Sequence, residues 1–336
     1  MRKLLKYLLQ RPLTWMANHL SASPQKEVVF KSLSKLYKSN RNIKSKRVTV
    51  IEFNSTTDKF IVFSDQHKGN KDSADDFKNC EATYIAALQF YHVQSFTYIN
   101  LGDCEELWKY KPENVLPHIN VALQAEAAFQ SDKKYYRSFG NHDIIWKNKW
   151  DVDRLLKNNF KLPLPVSEGI LLKTSIDHQP LTVFLTHGHQ GDKMSDNNAL
   201  STWIVAHLWG PVQRYLQINV NTPSKDDNLR NKHNKMMYEW SSNKKDLLLI
   251  TGHTHQPVFA SGKYSSHPAS KINIDNLKIN PSYFNTGCCC FSDGDITGIE
   301  LANGYIRLIK WKMEEAVAKR IVLEEITLQE LLKDLK

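Results

Sequence analysis

A chain of 336 residues, 41% of them hydrophobic, suits one large globular domain with additions or two ordinary domains. Its formal charge of +10 lies almost wholly at the front, where residues 1–47 carry twelve Lys and Arg against the single acid Glu27 and leave residues 48–336 close to neutral. No run approaches the roughly 18 apolar residues of a membrane span, and five cysteines without a Cys-x-x-Cys pair, three of them consecutive at Cys288, Cys289 and Cys290, argue against a disulfide framework or a zinc finger.

The front, residues 1–47, reads as a basic amphipathic arm. Its opening has the basic start of a signal peptide, but Arg11 and Pro12 interrupt the apolar part and no small-residue cleavage site follows, so a cytoplasmic protein is expected. Leu5, Leu8 and Leu9 beside Lys3 and Lys6 form one amphipathic stretch. Ser23 before Pro24 signals the start of a second helix, with Val29, Leu33, Leu36 and Tyr37 on one face. Such an arm suits an anionic membrane surface, which would make the protein peripheral there, nucleic acid, an acidic partner, or docking on its own domain.

From Val48 onward, β-rich runs alternate with helical ones, the rhythm of a layered α/β domain spanning residues 48–336. Strands are expected at Val48 to Phe53, Phe60 to Phe63, Thr97 to Leu101, Tyr135 to Phe139, Leu181 to Leu185, Leu247 to Ile250, Ile296 to Leu301 and Tyr305 to Trp311. Helices are expected at Asp75 to Val93 and Glu113 to Gln130. Asn303 and Gly304 make a hairpin turn, and Thr327 three residues before Glu330 gives a capping box for a last helix. Residues 193–246 break the rhythm. They read as an inserted helical cap, with Leu229, His233, Met236, Met237 and Trp240 at helical spacing and Trp203 and Trp209 as further core.

Five segments follow predicted strands: SDQHKG, LGDCEE, FGNHD, LTHGHQGD and TGHTHQ. The carboxyl edge of an α/β sheet is where sites are built, and oxygen and imidazole donors suit catalytic transition metals. Singly each segment reads as a cap or loop, but in this order they form a specific set. A phosphate ester repels hydroxide, so hydrolysis gains from two cations roughly 3.5–4 Å apart that clamp phosphoryl oxygens and acidify a water. Asp65 and His67 would alternate on an extended segment and aim at one ion, with Asp103 placed as a bridge.

These segments resemble the calcineurin-like metallophosphoesterases, whose pattern is Asp-x-His, Gly-Asp, Gly-Asn-His-Asp or Glu, His, and Gly-His-x-His; the likeness runs over about residues 58 to 310. It implies a four-layer α/β/β/α sandwich carrying the helical insertion and the basic arm. It also implies that Asp65, His67, Asp103 and His255 hold one metal, that Asp103, Asn141, His187 and His253 hold the other, and that His142 is catalytic with Asp143 orienting it. Mixed ligation of this kind suits manganese first, with iron, zinc, cobalt or nickel as alternatives. His189 reads as a phosphate contact or a support oriented by Asp192. Lys68 and Asn70 stand within reach of a phosphate, though a loop lysine is more often solvated, and Glu106 reads as an acid at a helix start.

The placement of the insertion after His187 is similar to that in UDP-2,3-diacylglucosamine pyrophosphatases, whose insertion covers acyl chains. His142 departs from the Gly-Asn-Arg-Asp that many of those enzymes carry. The resulting expectation is a hydrolase of a phosphate ester or pyrophosphate bond in a small or lipid-linked substrate. Beside it stand a nuclease of the same fold, which the near-neutral body disfavours, and a non-catalytic protein-binding scaffold.

Overall fold

The structure, a computed structural model, describes residues 25–41, 46–191, 227–261 and 281–335. Residues 1–24, with the Ser23 and Pro24 signal, lie outside the described residues, as do Asp192, Trp203 and Trp209. Among the described residues no helix is long and apolar enough to cross a membrane.

Two sheets stack face to face. The seven-stranded sheet has β2 (Phe60–Phe63) at its middle, flanked on one side by the parallel strands β3 (Thr97–Leu101), β4 (Tyr135–Ser138) and β5 (Val166–Ser167). On its other side lie β10 (Ile296–Ala302), β11 (Tyr305–Glu314) and β12 (Val317–Thr327), an antiparallel run. The five-stranded sheet runs β1 (Val48–Glu52), β6 (Gly169–Ile176), β7 (Gln179–Thr186), β8 (Leu247–Thr251) and β9 (Tyr283–Asn285).

Continuous apolar runs such as FIVF mark strands buried on both faces, and their alternation builds the layers. Phe60 and Val62 pack with Ile170, Leu172, Leu248 and Ile250 between the sheets. Ile61 and Phe63 point the other way, into a core with α2 (Glu81–Val93) and α4 (Asn120–Ser131). On the far side of the five-stranded sheet, Leu171, Phe184, Leu247 and Leu249 meet Val29, Leu33 and Leu36 of α1 (Lys26–Lys38) and Met236, Met237 and Trp240 of α6 (Asp227–Ser242). The result is a four-layer α/β/β/α sandwich.

Two placements change how the sequence reads. The stretch Lys26–Lys38, expected within an arm, is a layer helix: Val29, Leu33 and Leu36 have no exposure, Lys26 pairs with Glu239 at 2.6 Å, and Trp240 Nε1 donates to Ser34 Oγ at 3.0 Å. The described part of the insertion, α6, likewise shares its core with the sheet and α1 instead of forming a core of its own.

Two expected helices are each divided. Asp75 to Val93 breaks at Cys80 into a 3-10 turn, Asp76–Asn79, and α2; Glu113 to Gln130 becomes α3 (Pro112–Val115) and α4, with Pro117 between them lacking an N–H for a helical bond. A further short helix, α5 (Lys149–Leu155), follows β4. The hairpin at Asn303 and Gly304, φ 55° and 79°, joins β10 to β11 as expected. The capping box of Thr327 and Glu330 opens α7 (Leu328–Asp334).

Candidate metal centre

The five motif segments leave the carboxyl ends of β2, β3, β4, β7 and β8, so the two sheets deliver donors to one edge of the sandwich. Asp65 and His67 do not lie on an extended segment. Each sits in the left-handed region, at φ 54° and 50°, as do Asp103 (51°), His253 (69°) and His255 (56°). Non-glycine residues held there cluster at functional sites because surrounding structure must enforce them. Here it does: Asp65 N–H donates to the Gly102 carbonyl at 3.1 Å, and His67 N–H to the Asp103 carbonyl at 2.9 Å. The glycine before His253 is required sterically, since a Cβ on Gly252 would collide with Ser64 and the Asp65 carboxylate.

The side chains converge. Asp103 Oδ2 lies 3.2 Å from His187 Nε2 and 3.6 Å from His67 Nε2, while its Oδ1 accepts the His142 backbone N–H at 2.8 Å. Asp65 Oδ1 is 3.2 Å from His255 Nε2 and 3.8 Å from His67 Nε2, and the Asp65 carboxylate accepts the His253 N–H at 2.9 Å. His67 and His255 bring their Nε2 atoms to 3.0 Å of each other. Donor atoms of Asp103, His187 and His253 form a second group, all within 4.8 Å of one another.

Electrostatics follow from that crowding. Burial alone would raise the carboxyls, yet His187 and His255 hold Asp65, and His187 and His142 hold Asp103, below the usual carboxylate range. Reciprocally, against burial, Asp103 and Asp65 raise His187 to about 9, and Cys290 and Asp65 raise His255 to about 9. The pocket is built for positive charge.

The donors fit metal ions on the further ground of what they lack. Asn141 Oδ1, His187 Nε2 and His253 Nε2 are buried without a hydrogen-bond partner, which is costly unless something else satisfies them. The remaining nitrogens of two ligand candidates are tied from behind, as metal-binding imidazoles require. His187 Nδ1 lies 3.0 Å from the Leu101 carbonyl and His255 Nδ1 lies 3.6 Å from Cys290 Sγ. All five cysteines are free thiols, and Cys288 to Cys290 lie in the loop after β9, not on a strand.

Asp143 does not touch the His142 ring. Its carboxylate accepts backbone N–H groups of Gly140 at 2.6 Å, Cys104 at 2.9 Å and Asp103 at 3.2 Å, so it ties the loop after β4 to the loop after β3. The carboxylate that meets the ring is Glu106, 2.8 Å from His142 Nδ1 and 3.5 Å from His67 Nδ1. Trp108 stacks on His142 at 4.0 Å. Glu106 opens no helix, because it stands between Glu105, which bridges to Lys68, and a turn at residues 107–109, and it is buried. Against burial, His142 and Lys109 hold it well below the usual range.

Lys68 is not solvated either. It is fully buried and pairs with Glu126 and, at 3.3 Å, with Glu105, which also bonds Arg137. This ionic cluster underpins the loops but lies outside the donor set. Asn70 only caps its own turn, accepting the Asp72 N–H. His189 is buried beside His187, their rings 5.4 Å apart.

Solved structures similar to the chain include vacuolar protein sorting 29 from Cryptosporidium parvum, at 14% identity and TM-score 0.32, covering 81% of this chain and 99% of that one. They also include a dimetal phosphatase from Danio rerio, at 9% identity and TM-score 0.40, covering 80% and 100% respectively. Comparison with curated proteins gives no match. The family model for calcineurin-like phosphoesterases matches residues 58–257, more than half of the chain and every segment that supplies the centre, and the chain belongs to that family.

Proposed function

We propose that this metal-dependent phosphoesterase uses two divalent ions, one held by Asp65, His67, Asp103 and His255 and the other by Asp103, Asn141, His187 and His253. The observation that carries this reading is the unsatisfied trio Asn141 Oδ1, His187 Nε2 and His253 Nε2, set beside a carboxylate, Asp103, that faces both histidine groups. Two such ions, manganese first and iron, zinc, cobalt or nickel otherwise, would supply neutralisation of phosphoryl charge and acidification of a water at neutral pH when held by these residues. His142 acts on the leaving group: with Nδ1 engaged by Glu106, Nε2 carries the proton delivered to the departing oxygen. Asp143 keeps the two loops in register, so that the His142 backbone stays on Asp103.

The substrate is a phosphorylated small molecule or lipid-linked compound with an ester or pyrophosphate bond. The insertion after His187 supports an amphipathic one. The near-neutral charge of residues 48–336 disfavours nucleic acid. With Lys26–Lys38 packed in the core, contact of a cytoplasmic, peripheral protein with an anionic membrane surface would fall to the basic residues before Gln25.

The test is turnover of bis(p-nitrophenyl) phosphate by manganese-loaded protein alongside metal analysis. Asp103→Ala is expected to lose metal and turnover together; His142→Ala is expected to keep its metal and lose about 10²- to 10⁴-fold in kcat. Normal rates in either variant would overturn the assignment.

A further inference from the structure

His233 is a buried imidazole that the proposed chemistry does not use. On α6 it falls at the start of the series His233, Met236, Met237, Trp240, the spacing of one helix face. The last three fill the core against the five-stranded sheet. His233, one turn nearer the helix start, reaches the edge where the donors gather, its ring 5.2 Å from that of His253. It is 3% exposed, and neither ring nitrogen makes a well-formed hydrogen bond.

The position of His233 is imposed by its neighbour. Asn234 Oδ1 accepts from Thr254 Oγ1 at 3.1 Å and from Tyr283 OH at 2.9 Å, and its amide donates to Gln256 Oε1 at 3.3 Å. These bonds anchor α6 to the loop that carries His253 and His255. The other root of the insertion shows the same pattern. Gln190 Oε1 accepts the Gly188 N–H, while Gln190 Nε2 and His189 Nδ1 are buried without partners. Unsatisfied polar atoms therefore gather at both roots of the insertion, beside His187 and His253. Around His142 and His255 the ring Nδ1 atoms are engaged by Glu106 and Cys290. His233 also belongs to no group of three close metal-donor atoms among the described residues. Its missing partner is thus better supplied by a bound molecule than by an ion.

We infer that His233 is a substrate-contacting residue whose imidazole N–H donates a hydrogen bond to a phosphoryl oxygen bound on the Asn141, His187 and His253 side of the centre. This rests on the phosphoesterase reading and adds a recognition group carried by the insertion. An unpaired buried donor is satisfied when the phosphate arrives, which ties affinity to the fold of α6.

The test titrates inorganic phosphate into manganese-loaded full-length protein by calorimetry and measures KM and kcat on p-nitrophenyl phosphate. His233→Leu fills the space without a donor, and His233→Gln keeps one. The Leu variant is expected to bind phosphate about tenfold or more weakly and to raise KM by a similar factor, with manganese content unchanged, while Gln recovers part of the loss. Unaltered phosphate affinity and KM in His233→Leu would overturn the inference. So would loss of manganese from His233→Gln, which would make the residue a ligand. Wild-type protein that takes up manganese yet neither binds phosphate nor hydrolyses the ester would overturn the phosphoesterase reading, and this inference with it.

Discussion

Glu106 stands three residues after Asp103 and meets His142 Nδ1 at 2.8 Å from a fully protein-lined position. A carboxylate on that nitrogen fixes the ring's tautomer and orientation, leaving Nε2 for proton transfer. Trp108, stacked on the other side, stops the ring from turning away. Replacing Glu106 by Gln keeps the shape but removes the carboxylate that holds the ring at Nδ1. We expect kcat to fall about 10- to 100-fold, with metal content by elemental analysis close to wild type; an unchanged kcat would show that His142 works without this partner. In the sequence the donors themselves were legible, because each follows an apolar run at motif spacing. Glu106 was not, since an acid after Gly102 and Asp103 looks the same whether it starts a helix or folds back beneath a histidine. Lys68 was hidden for the same reason: its burial depends on Glu126, 58 positions away.

At the scale of elements, α1 provides the sharper test of how the chain is divided. Its apolar face closes the outer layer of the five-stranded sheet, and Arg47, just beyond it, holds Glu168 through two 2.9 Å bonds. Removing residues 1–47 uncovers Leu171 and Phe184, so it should lower the melting temperature further than removing residues 1–24 does. Leu33→Ala alone should cost about 2–5 kcal/mol, read by urea unfolding. Equal stability of the two truncations would show that α1 is dispensable.

The inner strands could be read directly because both of their faces are covered and the apolar run is continuous. β6 escaped because GILLKTSI turns polar in its second half, and β12 because VAKRIVLEEIT is a sheet edge with charges along it. The spacing of α6 was visible, but a helix's periodicity does not say which sheet its face will cover.

Across the whole molecule, the centre is the seam between the two sheets: Asp65, His67, Asp103 and Asn141 come from one, and His187, His253 and His255 from the other. Five of these seven residues are held at positive φ, a strain on the order of 1–3 kcal/mol each. Four, His67, Asn141, His187 and His253, present a buried atom with no hydrogen-bond partner in the protein. The second cost of the folded state is one that ion binding would reduce, because ions would engage donors which the unfolded chain does not assemble. Stability should thus depend on metal by mass action, by about 2.7 kcal/mol at a hundredfold excess over Kd. Manganese titrated into chelator-treated protein is expected to raise the melting temperature progressively. In Asp103→Ala, where the carboxylate facing both groups is gone, most of that rise should disappear. A melting temperature indifferent to manganese in the wild type would mean that the strained loops and unsatisfied donors are balanced within the protein, and that the seam is not held by ions.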